Sequence, residues 1–456
     1  MQSNLDNKHL LEQGPVSSLF IKYALPSVVT MLFFGIQNLI DGIVVGNHLG
    51  SDALGGVNII LPLFSAIMVI ALIVGIGSQT LVSMGLGEQN IEKAQDAMTT
   101  GFWSLVLVSL VSTGALLMFA EPLTQHLGAD ERLLPHALAY FKGLVPFILP
   151  ITLCFYSDVM LKALGHPKFS MMIMTSVVII NVALSLYLVL GTDMGTMGAS
   201  LATGIAFSIG LGMSAYLTFN VKQRLSMLKG RMRMPLLIKA VYNGSSEGVS
   251  ELAAAISILI INLTVVKMLG ADGVAAFTAI NYINFVGILL FLGISDGLIP
   301  VLSYNFGAKN YERVKRIFRF AALVNFGIGI SVFILLQGFG EYALGLFFDL
   351  SNKRVFEIAL AGLHISAFVF LMNGLNILIT AYFTALGEAM SSIVVAALRG
   401  VVFVLIGVAL LPKFMGIEGV WITIPLAELM ALGVACVLVL RINRKLLMLT
   451  KKTETQ

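Results

Sequence analysis

The sequence predicts an all-α membrane protein, with twelve transmembrane helices in two six-helix lobes related by a pseudo-two-fold axis along the membrane normal. Three observations predict this. First, 58% of the 456 residues are hydrophobic and only 11% are charged, against about 25% charged in soluble domains. Second, the apolar residues form about a dozen continuous runs long enough to cross a bilayer, which takes about twenty residues. Third, the chain repeats itself with an offset of 220 to 222 residues. A transmembrane β-barrel would instead show short alternating strands, and these runs do not alternate.

The polar first eighteen residues, with Asp6, Lys8 and Glu12, lack the basic, apolar and small-residue order of a cleavable leader. The first run begins near Phe20, contains Pro26, and ends beyond Asp41 in "QNLIDGIVV". Its length exceeds a leader's apolar core, so it is expected to stay as span one. Further runs centre near residues 67, 108, 148, 178 and 207 and complete the first half. Glycine and proline punctuate many of them, which membrane helices tolerate. The basic stretch "VKQRLSMLKGRMRMPLLIK" follows, and reads as a topology anchor near anionic lipid rather than a nucleic-acid site. Runs centred near 254, 290, 327, 370, 401 and 430 make spans seven to twelve. The expected domains are therefore 1–220, a cytoplasmic linker at 221–236, and 237–456 with a basic tail. Cys154 and Cys436 lie inside apolar runs and imply no disulfide framework.

Numbering the connections with the N-terminus inside puts 22 of the 28 Lys and Arg on that side and 6 on the other. The positive-inside bias then makes both termini cytoplasmic. The repeat is most visible where "LGSDALGGVN" at 49–58 aligns with "LGADGVAAFT" at 269–278, and "GLGEQNIEKA" at 85–94 with "NFGAKNYERV" at 305–314. Later, "KALGHP" at 162–167 meets "TALGEA" at 384–389, and "MGTMGA" at 194–199 meets "MGIEGV" at 415–420. Six spans per half is an even number, so both halves enter the membrane in the same direction. Such halves commonly hold a substrate between them near the midplane and rock around it.

These segments resemble the MATE (multidrug and toxic compound extrusion) transporters, and within them the bacterial branch of MepA-like drug exporters. The resemblance rests on "LIDGIVVGNHLGSDALGGVN", "GIGSQTLVSMGLGEQNIEKA" and the echo "GISDGLIPVLSYNFGAKNYERV". It covers nearly the whole chain, and the G-x-x-N-x-x-[KR] loop, GEQNIEK at 87–93 and GAKNYER at 307–313, recurs in both halves. The loop of the major facilitator family after span two, with an aspartate and paired arginines, is missing. The resemblance implies secondary active export of amphipathic or cationic organic compounds in exchange for H⁺ or Na⁺, by a non-enzymatic, multi-pass protein of the cytoplasmic (inner) membrane. The expected partners are small-molecule drugs and membrane lipids, with no nucleic acid, and the expected state is a monomer. No cofactor is expected: the sequence has no P-loop, no His/Cys cluster and no Ser-His-Asp signature, which leaves an ion gradient as the energy source. Two other readings remain: a lipid-linked oligosaccharide flippase of the wider superfamily, and an uncoupled channel or binding protein.

Ionisable residues inside a membrane are costly and usually functional. Asp41 matches the family's N-lobe proton or sodium site; its alternative is a partly wet helix-end residue. By resemblance, Asn181 and Thr203 line that site, and Na⁺ at Asp41 is the one metal ion the resemblance implies. Two departures matter. Ser185 stands where the family often has Asp, and Asp158 where it often has Asn, so Asp158 becomes a candidate partner for Asp41. Glu247 and Glu251 lie one turn apart on span seven; the family's acidic residue there matches Glu251 better. Asp296, Asn373, Asn376, Arg399 and Glu428 form a candidate polar network in the second half. In it Arg399 is expected to pair with Asp296 or Glu428, because an unpaired buried guanidinium is costly. Met31, Phe33, Phe34, Gln37 and Met160 are the candidate substrate-cavity residues, since thioethers and aromatic faces suit bulky organic cations.

Overall fold

In a bilayer every backbone N–H and C=O must find an internal partner, and a helix is the simplest way to do so. The computed structural model describes residues 9–347 and 353–454, and among these every regular element is helical. Lys8 lies outside the described residues. The spans, numbered here in chain order, are α1 Val16–Leu49, α2 Ser51–Gly87, α3 Ile91–His126, α4 Leu134–Ala163, α5 Pro167–Leu190 and α6 Gly195–Thr218. In the second half, Met234–Gly307 is continuous in hydrogen bonding but breaks at Gly270, where φ is 63° and ψ is −144°. It therefore supplies two spans, α7 (234–269) and α8 (271–307). Next come α9 Tyr311–Leu344, α10 Lys353–Ala385, α11 Ala389–Met415 and α12 Ile417–Glu454. The twelve predicted spans are all present.

Local chemistry sets the joints. Asn90 caps α3 by accepting the Lys93 N–H at 2.9 Å. Before α4, the Asp130 carboxylate accepts the N–H groups of Leu133 and Arg132 at 2.9 and 3.1 Å. The Leu133 N–H, helped by the nearby Arg132, holds the Asp130 carboxyl below the usual carboxylate range. Positive φ values recur with the repeat: Gly50 with Gly270, Gln89 with Lys309, Gly165 with Gly387, and Gly195 with Gly416. Left-handed backbone costs an ordinary residue roughly 1 kcal/mol or more. Its recurrence at Gln89 and Lys309, both at 58°, means that the same tight turn is built twice in the G-x-x-N-x-x-[KR] loop.

The chain forms two compact units whose borders differ from the repeat borders. One is Val29–Gly244; the other joins the stretch up to Val28 to everything from Ser245 onward. Close helix packing is the reason. A Cβ on Gly77 of α2 would stand 1.9 Å from the Ala240 carbonyl oxygen at the start of α7. Its repeat mate Gly297 of α8 meets Tyr23 of α1 in the same way, with a Cβ 2.4 Å from that carbonyl oxygen. Each second helix thus packs against the start of the other repeat's first helix, and only glycine permits that approach.

The segments before those first helices are strapped down as well. The side chain of α3 residue Gln95 bonds both the N–H and the C=O of Ser226. Thr99 accepts the Gly230 N–H, Asp96 the Arg231 N–H and Thr100 the Arg233 N–H, at 3.0, 2.9 and 3.0 Å. Arg233 also forms ion pairs with Asp96 and Glu92. The predicted basic linker is thereby part of the Val29–Gly244 unit. In the other unit, Arg313 of α9 donates to the carbonyls of Leu10, Leu11 and Gly14, closing the end of a short helix at 9–12.

Candidate coupling and substrate sites

Within the Val29–Gly244 unit, Asp41 lies on α1 eight residues before its end, about 12 Å along the axis. Ile40, Val44 and Val45, its neighbours on α1, pack with Val189 of α5 and Ala199 of α6. That packing turns Asp41 toward Gln37, Ser185 and Tyr140. Asp41 Oδ1, Gln37 Oε1, Asn181 Oδ1 and Ser185 Oγ are all buried without a hydrogen-bond partner in the protein. Asn181 spends its amide on Thr203, donating to Oγ1 at 3.0 Å, so its carbonyl oxygen is left over. One carboxylate among neutral oxygens suits a singly charged hard cation, or a proton on the carboxylate. Gln37 and Ser185 thus stand beside Asp41, and Asn181, one turn before Ser185 on α5, is tied to Thr203 of α6; Tyr140 had no signal in the sequence.

Asp158 does not join Asp41. Its carboxylate accepts from Lys162 Nζ at 2.6 Å and from the Ser170 hydroxyl. All three side chains are buried, Lys162 to 2% exposure. Asp158 lies five residues from the end of α4, and α4 crosses the membrane antiparallel to α1. The two acids therefore sit toward opposite membrane faces. The i,i+4 spacing of Asp158 and Lys162 is the signal that pairs them. At the equivalent turn of the second half, Thr380, Thr384 and Ser392 stand at the positions of Asp158, Lys162 and Ser170. There Ser392 donates to the Thr380 carbonyl at 3.0 Å, and the Thr384 and Ser392 hydroxyls lie 3.2 Å apart. An ionic trio in one repeat is a hydroxyl trio in the other, which marks both as turn-building devices.

Of the candidate cavity residues, Phe34 is half-buried and stacks on Phe155 and Phe207, at ring-centroid distances of 5.7 and 6.4 Å. Gln37 is buried beside Asp41. Met31 and Phe33 are half-buried on α1. Met160 is fully buried inside α4's packing, so it lines no open surface in this conformation.

In the unit that begins again at Ser245, Glu428 of α12 is the centre of the polar network. Asn373 donates to Glu428 Oε1 at 2.8 Å and Asn376 to Oε2 at 2.6 Å. Arg399 of α11 lies 3.3 Å from Oε1. The expected partner of Arg399 is therefore Glu428, not Asp296. Glu247 is half-buried and accepts from Thr384 at 3.5 Å, whereas Glu251 is exposed. Glu247 feels Glu251, Arg399 and Asp296, and Glu251 feels Arg399. The unit thus sets three carboxyl groups, Glu247, Glu251 and Glu428, about Arg399, with Asp296 near Glu247.

The MatE family profile matches the chain twice, at residues 26–187 and 248–409. The chain belongs to the MatE family. Both matches fall on the two repeats, in register with the offset read from the sequence. Among characterised relatives, the multidrug export protein MepA of Staphylococcus aureus (strain MRSA252) is 23% identical over 429 residues, covering 92% of either chain. MepA of Staphylococcus saprophyticus is 22% identical over 403 residues, 87% of either chain. Among solved structures, an outward-facing multidrug resistance MATE family transporter of the MOP superfamily superposes with a TM-score of 0.90 at 21% identity, over 97% of this chain and 98% of that one. A MOP superfamily transporter from Pyrococcus furiosus, described as having a binding pocket of reversed polarity, gives 0.87 at 22% identity, over 96% and 98%. The MatE fold is thus common to proteins whose pockets differ in charge, and the residues of this chain's own sites carry the functional argument.

Proposed function

We propose that this MatE protein is a secondary active multidrug exporter of the cytoplasmic membrane, moving amphipathic, often cationic organic compounds outward in exchange for H⁺ or Na⁺. The observation that carries the reading is Asp41: a carboxylate within a membrane span with one buried oxygen unpartnered, and with the polar side chains of Gln37 and Ser185 against it. Keeping such a group costs free energy unless a cation or proton visits it. Neutralising it on one side of the membrane and releasing the charge on the other would bias the conformers in turn. The similarity to MepA supports drugs as cargo. The three carboxyl groups about Arg399, with Asp296 near Glu247, favour a positively charged cargo over the anionic cargo of a lipid-linked oligosaccharide flippase.

The test is transport by purified protein in liposomes, with ethidium as cargo and a proton or sodium gradient imposed separately. At least one gradient should drive the dye uphill; dye movement indifferent to both would leave an uncoupled channel or binder. Orientation is read by labelling single cysteines introduced at exposed positions in loops and at helix ends. Cysteines at Gln89 and Lys229 should react from the cytoplasm, and cysteines at Ser51 and Gln125 from outside, because the basic loops stay in. The reverse labelling would invert the direction of export.

A further inference from the structure

Arg399 occupies an unusual stretch of backbone. Residues Leu398–Val402 form a π-helical turn inside α11, a feature that often marks functional positions. The wide turn frees a backbone carbonyl at Gly400, which accepts a hydrogen bond from the Ser257 hydroxyl of α7. A Cβ on Gly400 would stand 2.5 Å from the Ala253 Cβ, also on α7. The turn is thus pressed against the helix that carries Glu247 and Glu251, and this brings the guanidinium to them.

The hydrogen bonding around Arg399 is lopsided. Glu428 is locked: both of its oxygens and its backbone carbonyl accept from Asn373 and Asn376. Arg399 adds one donation to it, at 3.3 Å from a single nitrogen, where a fork-to-fork pair would be bidentate and shorter. The charge of Arg399 also acts on Glu247 and Glu251 of α7, and Asp296 of α8 acts on Glu247. Asn373 Oδ1 and Asn376 Oδ1 are buried and unpartnered, two further oxygens suited to positive charge.

We infer that Arg399 is a tethered substitute for the cargo: it neutralises the α7 carboxylates until a positively charged organic compound displaces it from them, while Glu428 keeps hold of it. A guanidinium stays charged at any physiological pH and is weakly hydrated. It therefore covers Glu247 and Glu251 without closing them to an incoming cation. A neutral compound gains nothing from the exchange, so the device selects for charge. This inference rests on the drug-export reading and identifies the residue that would set its preference for cations.

The test compares tetraphenylphosphonium binding with that of neutral triphenylphosphine oxide by calorimetry on the purified full chain. The wild type is set against the paired variant Arg399→Gln with Glu428→Gln, which removes the tethered cation and its anchor together and leaves the local net charge unchanged. The paired variant should bind the phosphonium at least about fivefold tighter and the neutral oxide unchanged. Equal or weaker phosphonium binding overturns the inference, and so does a parallel change for the oxide. A wild type that binds no phosphonium sinks the drug-export reading along with it. Should the paired variant aggregate, Glu251→Gln in the native background reads the same exchange from the other side. Phosphonium binding should then weaken at least about fivefold, and an unchanged affinity overturns the inference.

Discussion

Asp41→Asn should abolish gradient-driven export while leaving the protein folded and inserted. The amide has nearly the shape of the carboxylate, so the packing of Ile40, Val44 and Val45 against α5 and α6 is kept. What disappears is the charge. A group that is neutral in both states has no differential affinity for H⁺ or Na⁺, and a ligand shifts a conformational equilibrium only by its differential affinity. A loss of tenfold or more in uphill ethidium transport is expected, equal to about 1.4 kcal/mol of coupling. Binding of the drug itself should survive, because the aromatic stack of Phe34, Phe155 and Phe207 does not depend on that charge. Uphill export by Asp41→Asn at the wild-type rate would remove the N-terminal site from the mechanism.

The second large effect is on stability. Asp158→Asn removes the carboxylate paired with the Lys162 ammonium, which is only 2% exposed. Breaking a buried ion pair by removing one partner typically costs about 3–5 kcal/mol, more than the pair itself is worth. The melting temperature in detergent should fall by roughly 3–5 °C for a chain of this length, on the scaling of Tm with stability. The paired change Asp158→Thr with Lys162→Thr copies the hydroxyl turn that the second repeat already uses, and most of the loss should be recovered. Scanning fluorimetry on the three proteins decides it. If the single variant melts with the wild type, or the pair melts no higher than the single variant, Asp158 is not the turn's ionic lock.

These two aspartates show where sequence reading succeeds and where it stops. Both stand out in the sequence, because a carboxylate in an apolar run departs from the surrounding composition. Both are candidates for the same site, because hydropathy locates an acid along the helix axis only coarsely. The partner at i+4, Lys162, marks Asp158 as half of a pair. Its third member, Ser170, sits on α5 and is identified only by the folded turn. Arg399 and Glu428 are similar. The cost of an unpaired guanidinium predicts a partner, and the structure chooses Glu428 over Asp296 through the packing of α11 against α12.

The sequence by itself determined the twelve spans, the duplication and which spans carry ionisable groups. The bilayer enforces this: it leaves the backbone almost no choice but helix, and it penalises each polar residue one at a time, so composition is enough. Only the tertiary structure decided that the stretch up to Val28 packs with the second half of the chain, and that the basic linker packs with the first. Those choices depend on how helices rotate and cross, on backbone touching backbone at Gly77 and Gly297, and on hydrogen bonds between residues more than a hundred positions apart. Such contacts have no period along the chain, and so the sequence carries no local sign of them.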